Sequence, residues 1–528
     1  MRTPPGLSPE DFADGVRELE AVVGRDWVFT SEEDVNLYRD FYSVLWDEPD
    51  ERIASAAVAP ATVEQVQAVV RIANQRNIPL YPISTGRNLG YGGPAPVYSG
   101  SVVLDLKRMN RILEVDEKNA SCLVEPGVSY FDMYRHLAET GSKLWIDCPD
   151  PGWGSMIGNA LDSGGGYTAG GYRGHFEAQC GIEAVMADGE LFRTGMGAVP
   201  GSKTWQQYRF GLGPSLDGLF RQSSLGVVTK MGFWMFPQPE TYLTGSVELM
   251  RLDDVEPLVE IFNHLENSNI FNGMPSISSP VLTRHSPALM EPVPDAEGMD
   301  RLVRETGLAA WRGTATFYGP EKVIRAQWEH VKERFAGMAG VRFVEGPLLK
   351  LPLAPADLSK VAKNRLGIPS LEIFAVGSRG AGNFNPSDGH IWFSAVIPRT
   401  GRGIVEANRV IHRECARLRM PLFMLAPAVT CWTRAYVLFA AVPVYKDKEK
   451  ARALRASVLE MLKVCGAHGW GEYRTPPAFQ DAAMAAYSFN DHKLRRVNEQ
   501  IKDALDPKGI LSAGRYGIWP KHLREKRA

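Results

Sequence analysis

Pro82-Ile83-Ser84-Thr85-Gly86-Arg87-Asn88-Leu89-Gly90-Tyr91-Gly92-Gly93 is the stretch on which the reading of this chain turns. It follows the apolar run Ile78-Pro79-Leu80-Tyr81, which reads as a short buried strand. Glycine admits backbone conformations that other residues avoid, and it clears side chains away. Several consecutive N–H groups of such a loop can then turn towards one anion, so a phosphate-bearing cofactor is the expected guest. The spacing is neither the G-x-x-x-x-G-K-[ST] loop nor a G-x-G-x-x-G running from strand into helix. A tyrosine, Tyr91, in the middle of the loop suggests that it also touches the chemistry.

Taken alone, a glycine-rich turn is more often structural. A second such segment shifts the balance: Pro149-Asp150-Pro151-Gly152-Trp153-Gly154-Ser155-Met156-Ile157-Gly158-Asn159, continuing into Ser163-Gly164-Gly165-Gly166-Tyr167. Two long glycine-rich segments in one half of a chain fit a large ligand lying along backbone. The rest of the composition narrows the class. A net charge of −2 offers no electrostatic footprint for nucleic acid or an anionic membrane surface. No apolar run approaches the ~20 residues that span a bilayer. The polar, acidic start Met1–Asp14 lacks the features of a signal peptide, so a cytoplasmic protein is expected. The six cysteines form no C-x-x-C pair and read as buried reduced thiols, and the ten histidines form no metal-binding cluster.

Strand candidates Ala54–Val58, Ile78–Ile83, Ser101–Leu106 and Ser121–Glu125 alternate with helix patterns. Thr62-Val63-Glu64-Gln65 reads as a capping box ahead of Val66, Val69, Val70 and Ala73 on one helix face. The character changes near Pro237-Gln238-Pro239-Glu240. From there to Trp470, helices (Val255–Leu265, Glu321–Phe335, Arg402–Leu418) mix with strands (Ile391–Val396, Tyr436–Val442). A last helix, Lys493–Ala504, ends at Asp506-Pro507-Lys508-Gly509, and no internal repeat shows in the sequence. The expected class is α/β or α+β.

An ordered set of segments runs nearly end to end and resembles the vanillyl-alcohol oxidase/4-cresol dehydrogenase family of FAD enzymes. It comprises Ile83-Ser84-Thr85-Gly86-Arg87-Asn88, Gly90-Tyr91-Gly92-Gly93, Val124-Glu125-Pro126-Gly127-Val128, Asp147-Cys148-Pro149-Asp150-Pro151-Gly152-Trp153-Gly154-Ser155, Arg193-Thr194-Gly195-Met196-Gly197-Ala198, Gly226-Val227-Val228-Thr229-Lys230-Met231-Gly232, Trp470-Gly471-Glu472-Tyr473-Arg474-Thr475 and Asp506-Pro507-Lys508-Gly509-Ile510-Leu511. The resemblance implies an α+β, two-domain FAD-binding fold of the vanillyl-alcohol oxidase type. Residues 1–240 would form the FAD-binding domain, 241–470 a cap with a ferredoxin-like sheet, and 471–528 a C-terminal return. Ser84, Thr85, Gly86, Arg87 and Asn88 would cradle the pyrophosphate. Gly154, Ser155, Gly158, Asn159, Gly226, Val228 and Arg515 would line the cofactor further along.

The same resemblance implies the chemistry. His390, in Gly389-His390-Ile391-Trp392, matches the position of a covalent flavin link, although other members attach through a tyrosine elsewhere. Tyr91, Tyr473 and Arg474 match the residues that hold a phenol oxygen. A free phenol ionises near pH ~10, and a fixed guanidinium with two O–H donors favours its phenolate. Phenolate makes the para-benzylic C–H a good hydride donor to flavin N5, leaving a p-quinone methide. Asp150 would activate water for attack on that species or take a proton from a benzylic alcohol, and Tyr167 would lie in the substrate cavity.

Two departures bear on the substrate. Gly166-Tyr167-Thr168-Ala169-Gly170-Gly171-Tyr172-Arg173-Gly174-His175 carries two extra residues and no adjacent Asp-His pair, and Cys431-Trp432-Thr433-Arg434 stands where paired histidines are usual. The leading expectation is an FAD-dependent oxidase of para-substituted phenols: 4-alkylphenols, vanillyl alcohol, eugenol-like allylphenols or larger lignin-derived phenols. A homodimer is expected. One rival passes electrons to a partner cytochrome c instead of oxygen, with a periplasmic location then open, although the chain has no C-x-x-C-H of its own. A non-catalytic aromatic-binding flavoprotein and a hydroxyacid dehydrogenase are the remaining rivals.

Overall fold

Ala56-Ala57-Val58, Leu80-Tyr81 and Val102-Val103-Leu104 have almost no exposure, the pattern of parallel strands covered on both faces. In the computed structural model, which describes residues 2–168, 174–375, 389–423, 429–432 and 434–527, they form one sheet. Its strands are β1 (Val28–Phe29), β2 (Ala56–Val58), β3 (Leu80–Ile83) and β4 (Val102–Asp105), in the order β1-β2-β4-β3. The last three run parallel. Helices α1 (Pro9–Val23) and α2 (Val63–Arg76) cover one face, where Val66, Val69, Val70 and Ala73 pack with Val58, Leu80, Val102 and Leu104. Ala57 and Val103 turn to the opposite face, as strand alternation requires. The expected capping box forms by half. Thr62 Oγ1 accepts from Gln65 N, but the Gln65 amide oxygen accepts from Ala61 N at 2.7 Å, and its Nε2 donates to Val22 O. That side chain ties α2 to the end of α1 instead of closing its own cap.

The second sheet is antiparallel: β5 (Ile112–Asp116), β6 (Ser121–Val124), β7 (Gln179–Met186), β8 (Leu191–Arg193) and β9 (Gly226–Trp234), ordered β5-β6-β9-β7-β8. Helices α3 (Tyr130–Thr140) and α4 (Met156–Leu161) close over it through Met133, Leu137, Met156 and Ile157.

The region beyond Thr241 holds a repeat that the sequence does not display. The first unit is β10 (Thr241–Leu249), α5 (Val255–Asn267), β11 (Ser276–Ser278), β12 (Trp311–Gly319), α6 (Glu321–Phe335) and β13 (Arg342–Glu345). Its order is β11-β12-β10-β13 with every neighbour antiparallel, the ferredoxin-like plan expected for a cap. The second unit runs β14 (His390–Pro398), α7 (Gly401–Leu418), β15 (Val429–Trp432), β16 (Ala435–Pro443) and α8 (Lys448–Ala467), ordered β14-β16-β15. Its fourth position is taken by residues 471–473. Glu472 bridges Ala395, Val396 N donates to Gly471 O at 2.9 Å, and Tyr473 N donates to Ser394 O. The repeat escapes a sequence search because only the strand and helix periods recur.

The chain then returns. Helix α9 (Phe489–Leu505) has left-handed backbone at Asn490–His492, so its regular part begins at Lys493, as the sequence expects. The buried Lys502 ammonium donates to Ser224 O, Asp506 Oδ2 and Leu511 O. Leu80 N donates to Ile510 O and Ser512 N to Leu80 O, so the return lies alongside β3. Cys122, Cys148, Cys180, Cys415 and Cys465 are buried free thiols. Among the described residues, no helix is long and apolar enough to cross a membrane.

Candidate active site

Strand β3 delivers the first glycine loop to the edge of a deep cavity, and α4 brings the second segment to it. Gly86 and Gly90 take left-handed φ of +65° and +91°. Gly158 lets the two segments meet, because a Cβ there would stand 2.3 Å from Ser84 Oγ. Among the described residues, none accepts a hydrogen bond from the backbone N–H of Thr85, Gly86, Arg87 or Asn88. Backbone donors are normally paired, so a row of them facing a cavity is a cradle for acceptor oxygens. Ser84, Thr85, Gly86, Arg87, Asn88, Gly154, Ser155, Gly158, Asn159, Gly226, Val228 and Arg515 all line this one cavity.

Tyr91, Asp150, His390 and Arg474 line the same cavity. The Tyr91 hydroxyl sits 2.7 Å from Ser394 Oγ on β14 and hydrogen-bonds Tyr473. The Arg474 guanidinium lies on the Tyr91 ring, 4.0 Å from its centroid, and hydrogen-bonds Tyr473. Burial pushes both phenols up, with Arg474 opposing the rise. Burial works against the Arg474 charge, but Asp162, with Nε to Oδ2 at 2.8 Å, together with Tyr473, Tyr91 and Tyr516 more than offsets it. Gln222 Nε2 donates to Tyr473 O at 2.8 Å and fixes the turn that carries both residues. Tyr473 itself lines a neighbouring cavity, which Arg474 also lines.

Asp150 is pushed up to about 6, chiefly by burial, while hydrogen bonds from Asn364 (2.9 Å) and Tyr167 pull the other way. Tyr167 thus enters the site through Asp150. His390 is pushed down to about 4 by burial, which keeps its imidazole neutral at pH 7. Its ring packs between Tyr42 and Trp392, and Trp392 N donates to Gly90 O, which pins the start of β14 to the glycine loop.

Comparison with known proteins places this geometry. Residues 54–195 match the FAD binding domain family. The chain is 33% identical to the 4-cresol dehydrogenase [hydroxylating] flavoprotein subunit of Pseudomonas putida, over 98% of this chain and 97% of that one. The chain belongs to the vanillyl-alcohol oxidase/4-cresol dehydrogenase flavoprotein family. It is also similar to the 1'-carboxy-chondrochloren decarboxylase of Chondromyces crocatus, at 32% identity over 88% of this chain and 91% of that one. The solved 4-ethylphenol oxidase from Gulosibacter chungangensis, in its isoeugenol complex, superposes with a TM-score of 0.85 and 34% identity, covering 99% and 100% of the two chains. This family member is therefore an FAD-dependent oxidoreductase of the two-domain α+β fold. The backbone donors of Thr85–Asn88, unpaired among the described residues, and the close approach at Gly158 fit a pyrophosphate-bearing cofactor, and FAD is that cofactor.

The residues that sequence reading missed are the supports. Asp162, Ser394, Asn364 and Gln222 each hold a residue that it named. No motif flags them, because their partners lie 74 to 353 positions away. The missing adjacent Asp-His pair has a spatial counterpart: His175 Nε2 meets Asp147 Oδ2 at 3.2 Å. Its Nδ1 meets the Tyr130 hydroxyl at 2.8 Å and also Asn159 Oδ1. Residues 169–173 lie outside the described residues, as do Thr433 and the side chains of Cys431 and Trp432, so both departures from the family pattern fall partly outside them.

Proposed function

We propose that this flavoprotein oxidises para-substituted phenols at the para-benzylic carbon. The observation that carries the reading is the convergence of Tyr91, Tyr473 and Arg474 through ring contact and hydrogen bonds, with Tyr91, Arg474 and Asp150 on the cofactor cavity. A phenol oxygen entering that corner meets two hydroxyl donors and a buried guanidinium that stays charged. Charge-assisted hydrogen bonds of this kind favour the phenolate. The bound FAD supplies the two-electron acceptor for hydride. Asp150, ionised above a pKa of about 6, is the base that takes a proton from water or from a benzylic alcohol. Asn364 and Tyr167 hold its carboxylate for that task. The neutral His390 imidazole is a competent nucleophile for covalent flavin attachment, the arrangement proposed for this chain.

Relatives named as an oxidase and as a dehydrogenase support the phenol reading equally, and the oxidase is the form proposed for this chain. A peroxide-coupled screen over para-substituted phenols, from cresol to dilignols, tests it. Turnover with hydrogen peroxide release is expected. Turnover only with an artificial acceptor makes the chain a dehydrogenase with a cytochrome-type partner. A flavin left unbleached by every phenol under anaerobic conditions overturns the function. Yellow colour staying with acid-precipitated protein, and lost in His390→Ala, is the expected mark of the covalent link. Full FAD release from the unaltered protein refutes it.

A further inference from the structure

Asp162 closes helix α4 and is buried. Its two oxygens take four side-chain donors: Arg474 Nε at 2.8 Å, Asn88 Nδ2 at 2.6 Å, Arg515 Nη2 and the Tyr516 hydroxyl. These donors come from three separate stretches of chain. Asn88 Oδ1 in turn accepts from Arg474 Nη2, so Asp162, Asn88 and Arg474 form a closed ring of hydrogen bonds. Within that ring one edge of the guanidinium is occupied, its face lies on Tyr91, and it hydrogen-bonds Tyr473. An arginine is a long side chain that loses rotamer freedom when it grips a ligand, and here the fold has removed that freedom in advance. Two guanidiniums and one carboxylate leave one net positive charge, the sign that attracts a phenolate.

We propose that Asp162 is a positioning residue: it holds the Arg474 guanidinium in the orientation that receives the phenolate oxygen and, through Asn88, ties that orientation to the cofactor loop. The proposal rests on the phenol reading above and deepens it. Asp162 touches no reacting atom, so its effect must pass through Arg474.

The test uses FAD-loaded enzyme and 4-nitrophenol, whose ionised form has its own absorbance and whose para substituent offers no C–H to oxidise. Flavin absorbance reports cofactor retention, and a pH titration reports where the bound phenol ionises. Asp162→Asn is expected to weaken 4-nitrophenol binding about 30-fold. It should also raise the ionisation pH of the bound phenol by about one unit. Asp162→Glu should recover part of both. Arg474→Met should show the same loss, and adding Asp162→Asn to it should cost nothing further.

Unchanged binding in Asp162→Asn overturns the proposal. So does a fall in the ionisation pH, which would make Asp162 an opposing charge, and so does an additive double variant. If Arg474→Met leaves phenol binding unchanged, the phenol reading itself falls, whatever Asp162 does. If Asp162→Asn alone gives no soluble protein, the double variant decides. It restores one net positive charge, so recovery of FAD-loaded protein supports the pairing and failure to recover refutes it.

Discussion

The two βαββαβ units beyond Thr241 share one plan and end differently. The first closes with β13, four residues that are all exposed and paired to β10. In the second, the matching strand shrinks to one bridge at Glu472, after which the chain turns inward as Tyr473-Arg474. In a continued strand those two side chains would face opposite sides of the sheet. Leaving the ladder after Tyr473 frees Arg474 to meet it at Tyr91. One architecture thus yields a stable edge in one copy and half an active site in the other. The difference rests on a few lost backbone hydrogen bonds.

The largest expected effect contrasts an arginine from each closing segment. Arg474→Met should lower kcat/KM for a para-alkylphenol about 10³-fold, as removal of an electrostatic clamp does. Arg342→Met, on the exposed β13, should change it less than about threefold, since Arg342 does not line the cofactor cavity and its half-exposed side chain meets Glu248, which Arg312 also holds. Comparable losses in both would erase the distinction. Asp150 is held by Asn364, which lies in the connector between the two units. Asp150→Asn should cost about 10²-fold in steps that need a base. It should also abolish the rise in activity through a pH of about 6 expected of the unaltered enzyme.

Glu472, at the bridge itself, is pushed up to about 8 by burial, with the Ser394 N–H pulling down. A folded pKa raised above its ordinary value gives stability that is present below about pH 4.5 and lost as pH rises through 8. Thermal unfolding should therefore find Glu472→Gln more stable than the parent at pH 9, by roughly a few kcal/mol, but not at pH 4. Equal pH dependence in the two would contradict the buried placement of this bridge. The smallest effect is expected from Asn364→Leu. Removing a donor that lowers the Asp150 pKa should move the acidic limb of the pH–rate profile up by about half a unit.

The sequence made the cradle legible because glycine spacing and backbone chemistry are local. Loop 84–93, the segment at 149–159 and the helix Glu321–Phe335 all stand where their residues indicate. The ring around Asp162 was not legible. It joins Asn88, Arg474 and Arg515 across the whole chain, and nothing in an isolated Leu-Asp-Ser announces four donors. The repeated unit was hidden for a related reason: a βαββαβ plan constrains hydrophobic periodicity and leaves residue identity free. Gln65 shows the same limit on a small scale, since its partner was decided by the end of α1, which a local motif does not see.

The pairing of the return with β3 has a consequence for how the protein is made. Strand β3 lies at the end of its sheet, and among the described residues its outer edge is paired by residues 510–512. Those residues leave the ribosome about 430 positions later, which at ~5–20 residues per second is a wait of roughly twenty to ninety seconds. Throughout that interval the nascent chain carries an open strand edge, a template for unwanted pairing. The cradle that β3 leads into stays unsupported for the same time, so cofactor capture follows the synthesis of residues 510–512. A chain stopped short of Leu511 would be prone to aggregate before it could bind flavin.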